Sequence, residues 1–229
     1  MEGDRRSRTV AASDMEGAQA HRPAGTDRRS QTPAIRLAES GSLEAMAAPD
    51  VTVRQVAAAE LTQAEVFAIR ELLRAAFEDD GEGFTDADWE HAAGGSHFLL
   101  EEAGALLAYA SVVLRELEAD GRPLRSGYVE AVATRKDVQG RGHGTTVMRA
   151  VDEHVRGTFE LGALSTGIPD FYGRLGWERW LGSTAVRTQR GLLPTPDDDG
   201  GIMVLPTLTT PPLDRHATIS CEWRPGDVW

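Results

Sequence analysis

From residue 51 onward, the hydrophobic positions of the chain follow two different periods, and this predicts a domain that mixes helices and strands. Residues 51–56 predict a first strand. Thr62 is a helix start, and Glu65 three residues later completes the pattern of a capping box. Apolar residues then recur at helical spacing as far as Phe77, and a second, short helix is expected from Thr85.

The middle of the chain has the pattern of antiparallel strands joined by tight turns. Strands are predicted at residues 97–101, 105–114 and 124–133, with turns at 102–104 and 119–122. After a glycine-rich loop, Val147, Val151 and Val155 define the buried face of a long helix. Short buried strands are expected at residues 160–165 and 202–205. The fold class is therefore α/β in the broad sense (α+β), with a sheet flanked by helices.

Composition divides the chain into two parts. Residues 1–50 are rich in Arg, Ser, Ala, Gly and Asp and poor in large apolar side chains, which predicts a disordered N-terminal extension. Residues 51–229 are expected to form a single domain.

The charge of the chain narrows the classes of partner. Its 24 basic and 36 acidic residues give a net charge of −12, which argues against nucleic acid and suits a polycationic ligand. The alternative, that the charge only maintains solubility, stays open. Cys221 is the single cysteine and the six histidines show no paired ligand motif, so no metal is expected. Without a run of membrane-span length or an apolar signal core, the expected location is cytoplasmic, with no membrane partner.

The stretch from residue 128 to 156 has the order strand, glycine-rich loop, helix. Such a loop binds a phosphate chain, because glycines allow close approach and the first amides of a helix lack internal acceptors. A P-loop is excluded because no Lys-Ser/Thr pair follows the last glycine, and Thr145 stands where a dinucleotide fingerprint needs glycine. A tight turn that binds no ligand is the remaining alternative.

Two motifs resemble the GNAT acetyltransferase superfamily. Gln139, Gly142 and Gly144 match its coenzyme A pyrophosphate loop, and residues 171–177 (FYGRLGW) match its second hallmark at the family's distance. The resemblance implies a mixed, mostly antiparallel sheet that is splayed at an acetyl-coenzyme A site. It also implies that acetyl-coenzyme A is the co-substrate and that the following residues bind it: Val132, Ala133, Thr134, Gln139, Gly140, Arg141, Gly142, His143, Gly144 and Thr145.

A closer resemblance extends over residues 51–229, to the aminoglycoside 2'-N-acetyltransferases. It is carried by residues 88–90, 127–130, 161–165, 196–200 and 221–229. It implies acetylation of the 2'-amine of a cationic aminoglycoside, with antibiotic resistance as the result, and it makes a homodimer a candidate assembly. The residues it implies in substrate binding are Asp88, Glu130, Ala131, Ser165, Asp198 and the terminal carboxylate of Trp229. The acidic loop at residues 78–83 is longer than in that family, so its acids are further candidates or form a solvated loop.

Acetyl transfer from a thioester to an amine needs a group that accepts the amine proton and one that protonates the departing thiolate. Glu130 lies mid-strand between Val129 and Ala131, where a carboxylate is unfavourable unless it is used or paired, so it is the candidate general base through a water. Pairing with a structural partner, or exposure to solvent, is the alternative. By the resemblance, backbone amides near Val132 polarise the carbonyl where the strand bulges, and Tyr172 is the general acid, unless it only packs.

Three functions remain in competition at the level of sequence. The first is an aminoglycoside 2'-N-acetyltransferase, and the second is a GNAT enzyme for another amine, such as a cell-envelope amino sugar or a polyamine. The third is a sensor that binds coenzyme A or an aminoglycoside without turnover. The complete glycine loop, together with Glu130 and Tyr172, argues against the sensor.

Overall fold

The structure, a computed structural model, describes residues 51–78 and 83–229. The predicted disorder of residues 1–50 and most of the acidic loop at 78–83 lie outside the described residues. The first half of the domain consists of β1 (Thr52–Ala57), α1 (Gln63–Ala76), α2 (Asp86–Ala92), β2 (Ser96–Glu102), β3 (Ala105–Ala119) and β4 (Arg122–Thr134). The second half consists of α3 (His143–Thr158), β5 (Leu161–Ser165), α4 (Pro169–Gly173), β6 (Glu178–Arg179), β7 (Thr184–Thr188), β8 (Gly191–Pro194), β9 (Ile202–Pro206) and β10 (Ile219–Glu222).

All strands of the described residues belong to one mixed sheet. The order along it is β6-β9-β5-β4-β3-β10-β7-β8, and β2 and β1 extend from the other end of β3. Pairing is antiparallel except between β4 and β5 and between β7 and β10. The predicted mixed, mostly antiparallel sheet is therefore confirmed.

Helices cover both faces of the sheet. On one face, α1 buries Ile69 and Leu73 in a cluster that includes Ala131 and Ala133 of β4. On the other face, α3 buries its valines in a cluster that includes Val129 and Val132. The predicted capping box of α1 is present: the Thr62 amide donates to Glu65 Oε2 at 2.7 Å, and the Glu65 amide donates to Thr62 Oγ1 at 3.3 Å. This cap satisfies amides that the first turn of a helix leaves unpaired.

Strand β3 is longer than the sequence predicted. It continues beyond Leu114 to Ala119, and in this extension Arg115, Leu117 and Ala119 are buried while Glu116 is exposed. Buried and exposed residues still alternate in this extension, but the buried residue at position 115 is an arginine. A prediction based on apolar residues therefore ends the strand too early. The long strand lets β3 pair with β2 at one end and with β10 at the other. No helix in the described part of the chain is long and apolar enough to cross a membrane.

Candidate active site

Strand β4 has a β-bulge at Glu130, which has no directly paired residue on β3. Ser111 of β3 pairs with Ala131 and Val112 pairs with Val129, so Glu130 is the extra residue between two consecutive pairs. A bulge shifts the alternation of side chains, which is why Val129 and Val132 face the α3 cluster although two residues separate them. Glu130 consequently lies on the side of the sheet that carries α1 and α2.

The ladder between β4 and β5 stops directly beside this bulge. Its last pair is Tyr128 with Ala163, although β4 runs on to Thr134 and β5 to Ser165. β5 meanwhile stays paired with β9 as far as Ser165, so β4 and β5 separate from each other. The backbone groups of β4 that point toward β5 beyond Tyr128 have no ladder partner there. Val132, Ala133 and Thr134 lie along this opening and are buried.

The glycine loop joins the open end of β4 to α3. Gly140 and Gly142 have φ angles of +71° and +86°, which favour glycine, and a Cβ at either position would meet nothing within 4 Å. Gly142 precedes the helix without a side-chain cap, so the first amides of the 16-residue helix α3 point into the loop. Such amides, at the positive end of the helix dipole, suit an anion.

The remaining predicted loop residues divide between structural and open positions. The Gln139 side chain donates to the Thr134 carbonyl at 3.1 Å and thereby fastens the loop to the end of β4. Arg141 is exposed, His143 and Thr145 are half-buried, and Gly144 is buried against the sheet. The loop thus has one exposed cation beside the helix start, a composition that fits a pyrophosphate group.

Tyr172 and Ser165 carry buried hydroxyl groups near the opening. Neither hydroxyl has a hydrogen-bond partner among the described residues. The Tyr172 ring packs in the same cluster as Val132 and Leu164, with edge-on contacts to Phe171 and Trp177. Burial, and then the charge of Asp152, raise the pKa of Tyr172 well above its usual value, so the phenol keeps its proton. A buried O–H without an acceptor is unfavourable unless a ligand supplies one.

On the α2 side of the sheet, a small, partly open pocket surrounds Glu130. It unites segments that are far apart in sequence, and its polar lining consists of Asp88, His91, Glu130, Arg224, Asp227 and Trp229. Asp88, Glu130 and Trp229 were predicted as substrate-binding residues, and the structure brings them together. His91, Arg224 and Asp227 were not predicted.

Glu130 forms an ion pair with Arg224 inside this pocket. Arg224 Nη1 donates to Oε1 at 2.5 Å and Nη2 donates to Oε2 at 3.1 Å, so both oxygens accept from one guanidinium. The Glu130 side chain is only 7% exposed and the Arg224 side chain 15%. The partner of Glu130 lies 94 residues further along the chain, where no local pattern indicates it.

Asp88 lines the pocket and also caps the start of α2. Its Oδ2 accepts from the Thr85 amide at 2.7 Å and from the Thr85 hydroxyl at 2.8 Å, which completes a capping box at the start of α2. The cap fixes this carboxylate at the pocket wall, since the side chain cannot swing away without uncapping the helix.

The chain end and Asp198 are held together behind the pocket. The Trp229 indole is 3% exposed and donates to Thr195 Oγ1 at 3.0 Å. Burial raises the pKa of Asp198 to about 6, and the nearby carboxylates of Asp227, Asp197 and Asp199 add to this rise. Asp198 is therefore an acid of the same group, although it does not line the pocket itself.

Besides Asp198, two more of the predicted substrate residues do not line the pocket. Ala131 is buried in the α1 cluster, so only its backbone remains available, and Ser165 is buried on β5. Within residues 51–78 and 83–229, no group of three or more His, Cys, Asp or Glu side chains is arranged to hold a metal ion.

An opening in the sheet beside an uncapped glycine loop is what the sequence resemblance implies for an acyltransferase that uses coenzyme A thioesters. Comparison with known protein families agrees with this assignment: the sequence model of the family described as acetyltransferase (GNAT) domain matches residues 57–180. An aminoglycoside 2'-N-acetyltransferase from Mycolicibacterium fortuitum is 45% identical over 182 residues, which are 78% of this chain and 92% of that protein. The chain belongs to the GNAT acetyltransferase family, as the sequence motifs predicted.

Solved structures support the fold independently. The crystal structure of a GNAT family acetyltransferase from Brucella melitensis in complex with acetyl-CoA matches with a TM-score of 0.51 at 15% identity, covering 75% of this chain and 96% of that one. A GNAT family N-acetyltransferase from Escherichia coli in complex with CoA matches with a TM-score of 0.53 at 16% identity, covering 77% and 91%. At these identities the likeness concerns the fold alone.

Proposed function

We propose that this enzyme transfers the acetyl group of acetyl-coenzyme A to the 2'-amino group of aminoglycosides. The observation that carries the proposal is the gathering of Asp88, Glu130 and Asp227 around one pocket, directly beside the opening between β4 and β5. An aminoglycoside carries several ammonium groups, and buried or half-buried carboxylates are the groups that recognise them. The 45% identity to a protein named aminoglycoside 2'-N-acetyltransferase supports the choice of substrate.

In this proposal, the coenzyme lies along the opening with its pyrophosphate at the glycine loop. The amides of His143, Gly144 and Thr145 would donate hydrogen bonds to the phosphate oxygens, since they are the first amides of α3. The unpaired edge of β4 at Val132, Ala133 and Thr134 would pair with the amide groups of the pantetheine chain, which behaves like an added strand.

The reaction is a direct attack within a ternary complex. The 2'-nitrogen attacks the thioester carbonyl, the C–N bond forms, and the C–S bond breaks as the thiolate leaves. The nitrogen attacks as the free amine, and the proton it gives up passes to Glu130 through a water, while backbone amides next to the bulge polarise the carbonyl. The Tyr172 hydroxyl protonates the thiolate, and the resulting phenolate is reprotonated before the next turnover, as Glu130 releases its proton.

The single cysteine offers no support for a covalent acetyl-enzyme. Burial raises the pKa of the Cys221 thiol to about 11, and its Sγ lies 3.2 Å from the Val228 carbonyl, to which it donates. A buried thiol that keeps its proton is a poor nucleophile. Direct attack is therefore the simpler route.

Release of the coenzyme A thiol with a panel of amines tests the proposal. We expect rapid thiol release with aminoglycosides that carry a 2'-amine, and slow release with polyamines and with cell-envelope amino sugars. Preferred turnover of a polyamine would move the enzyme to another substrate class, and coenzyme binding without thiol release for any amine would favour a sensor.

The proposal has consequences for the cell. Acetylation removes a positive charge from the antibiotic, so expression of the enzyme in the cytoplasm, where acetyl-coenzyme A is made, should raise resistance to aminoglycosides. Sedimentation of the purified chain tests the homodimer that the family resemblance suggests.

A further inference from the structure

We propose that Arg224 is a positioning residue of the acetyl-transfer reaction: its guanidinium supplies the positive charge next to Glu130 and orients the carboxylate toward the acceptor amine. The inference rests on the proposed role of Glu130 as the general base. Neither the sequence motifs nor the family comparisons assign a task to Arg224.

The geometry of the pair restricts Glu130 strongly. Two parallel hydrogen bonds, of 2.5 and 3.1 Å, join the planar guanidinium to both carboxylate oxygens. This fork fixes the rotation of the carboxyl group and uses one lone pair on each oxygen. The outer lone pairs remain to accept a proton from a water or an amine.

Arg224 is itself held from three sides. Its Nε donates to the Asp227 carbonyl at 2.7 Å, which closes the turn of residues 224–227. Its guanidinium carbon lies 6.0 Å from the centre of the Tyr128 ring, and that of Arg115 lies 4.8 Å from the same ring. The turn is fastened to α2, because His91 Nε2 donates to the Pro225 carbonyl at 2.9 Å. Arg224 is therefore a fixed cation, unlike a mobile surface side chain.

The charge of Arg224 matters because Glu130 is almost completely buried. A buried carboxylate without a cation takes up a proton, and a protonated Glu130 could not act as a base. Among the residues that the structure describes, the other charged or titratable groups around it are Asp88 and His91 from α2, Asp227 from the tail, and Tyr128 and Arg115 from the sheet. The neighbouring acids add like charge, whereas Arg224 is the cation that hydrogen-bonds both oxygens of Glu130.

A competing explanation is that Arg224 only ties down the chain end. In that case its loss would weaken acceptor binding by moving Asp227 and Trp229, whatever residue stands at position 130. A positioning role predicts instead that the effect depends on the Glu130 carboxylate. The two explanations differ in a double-mutant cycle.

The experiment combines Arg224→Gln with Glu130→Gln in the full-length chain and measures kcat and both KM values between pH 5.5 and 9. We expect Glu130→Gln to lose roughly 100-fold in kcat, as for a lost general base. Arg224→Gln should lose on the order of 10-fold or more, and its acid limb should move up by about 1 pH unit or more, because the buried carboxylate has lost its cation. Added to Glu130→Gln, the Arg224 change should lower kcat by less than about 2-fold.

Two further variants separate charge from aim and from folding. Arg224→Lys retains the cation without the fork, so it should retain the acid limb of the wild type while kcat stays reduced. Arg224→Ala should recover activity with millimolar methylguanidinium if the cavity remains folded. Arg215→Gln removes an exposed ion pair with Glu178, at 3.1 Å, and is the matched control whose kinetics should not change.

The outcomes distinguish this inference from the proposed function. Wild-type rates in Glu130→Gln would remove the general base and this inference together. If Glu130→Gln is impaired but Arg224→Gln lowers kcat equally in both backgrounds, with an unshifted pH profile, Arg224 is only a structural anchor and the proposed function stands.

Discussion

At the scale of single residues, the sequence predicted that the Glu130 carboxylate needs a partner or a catalytic role. It did not predict which residue pairs with it. A carboxylate between Val129 and Ala131 must be used or paired, and the structure shows that it is paired with Arg224. At the level of sequence, a structural ion pair and a catalytic role were alternatives for Glu130. The two are compatible, because the ion pair lies in the pocket. Arg224 could not be predicted, because a contact across 94 residues follows from the tertiary fold and not from local spacing.

The raised pKa of Asp198 gives a prediction about how the KM for the acceptor depends on pH. Because burial raises the pKa of Asp198 to about 6, this group is charged above pH 6 and becomes neutral as the pH falls through 6. The acidic group beside the pocket then loses a negative charge, so the KM for a cationic acceptor should rise below pH 6 while the KM for acetyl-coenzyme A stays level. In Asp198→Asn, this rise should be absent and the KM high throughout.

Asp197→Asn provides the matched control, since Asp197 is the exposed neighbour in the same turn. It should retain the rise of the acceptor KM at low pH, at a slightly lower pH than in the wild type, because one carboxylate beside Asp198 loses its charge. An unchanged pH profile in Asp198→Asn would show that Asp198 plays no part in acceptor recognition.

At the scale of elements, the strand, glycine loop and helix from β4 to α3 were predictable, because their signals are local in sequence. The bulge at Glu130 was expected from the family resemblance near Val132, and the structure places it two residues earlier. The strands β7, β8 and β10 were not predicted. β8 is short and exposed, and the paired positions of the parallel strands β7 and β10 lie 35 residues apart in sequence. Neither turn signals nor a hairpin pattern therefore predicts these strands.

The glycine loop gives a prediction with an internal control. Gly142→Ala introduces a Cβ at a φ of +86°, next to the amides proposed to bind pyrophosphate, and should weaken acetyl-coenzyme A binding by about 10-fold or more. Gly121→Ala introduces the same strain at a φ of +68° in the distant turn between β3 and β4. Both variants should lose about 1 kcal/mol of stability, but only Gly142→Ala should lose affinity.

Calorimetry of coenzyme binding and thermal unfolding check this pair of variants together. Equal coenzyme affinities in Gly142→Ala and Gly121→Ala would mean that the loop is a tight turn without a ligand, which was the alternative at the level of sequence.

At the scale of the whole molecule, the pocket proposed to bind the acceptor is built partly by residues 224–229. Its wall combines α2 near residue 88, the bulge at residue 130 and the tail at residues 224–229, which only the folded sheet brings together. Composition and periodicity could not predict this assembly, and only the resemblance to a family with the same tail pointed to it.

An added residue at the C terminus tests the role of the tail. Extending the chain by one glycine replaces the Trp229 carboxylate, ionised at neutral pH, by an amide. If this charge meets a substrate ammonium, the acceptor should bind more weakly by ~1.5–3 kcal/mol, as for a lost charged hydrogen bond, with little change for acetyl-coenzyme A. The same glycine added at the N terminus is the control, and equal kinetics of the two extended chains would make the C terminus a purely structural tail.

The position of the transferred acetyl group tests the central claim most directly. Two aminoglycosides that differ only in a 2'-amine or a 2'-hydroxyl are incubated with the enzyme and acetyl-coenzyme A, and the products are mapped by NMR. The account predicts a single N-acetyl group at the 2'-position of the first compound and no N-acetylation of the second. Acetylation of both compounds at another amine would contradict it.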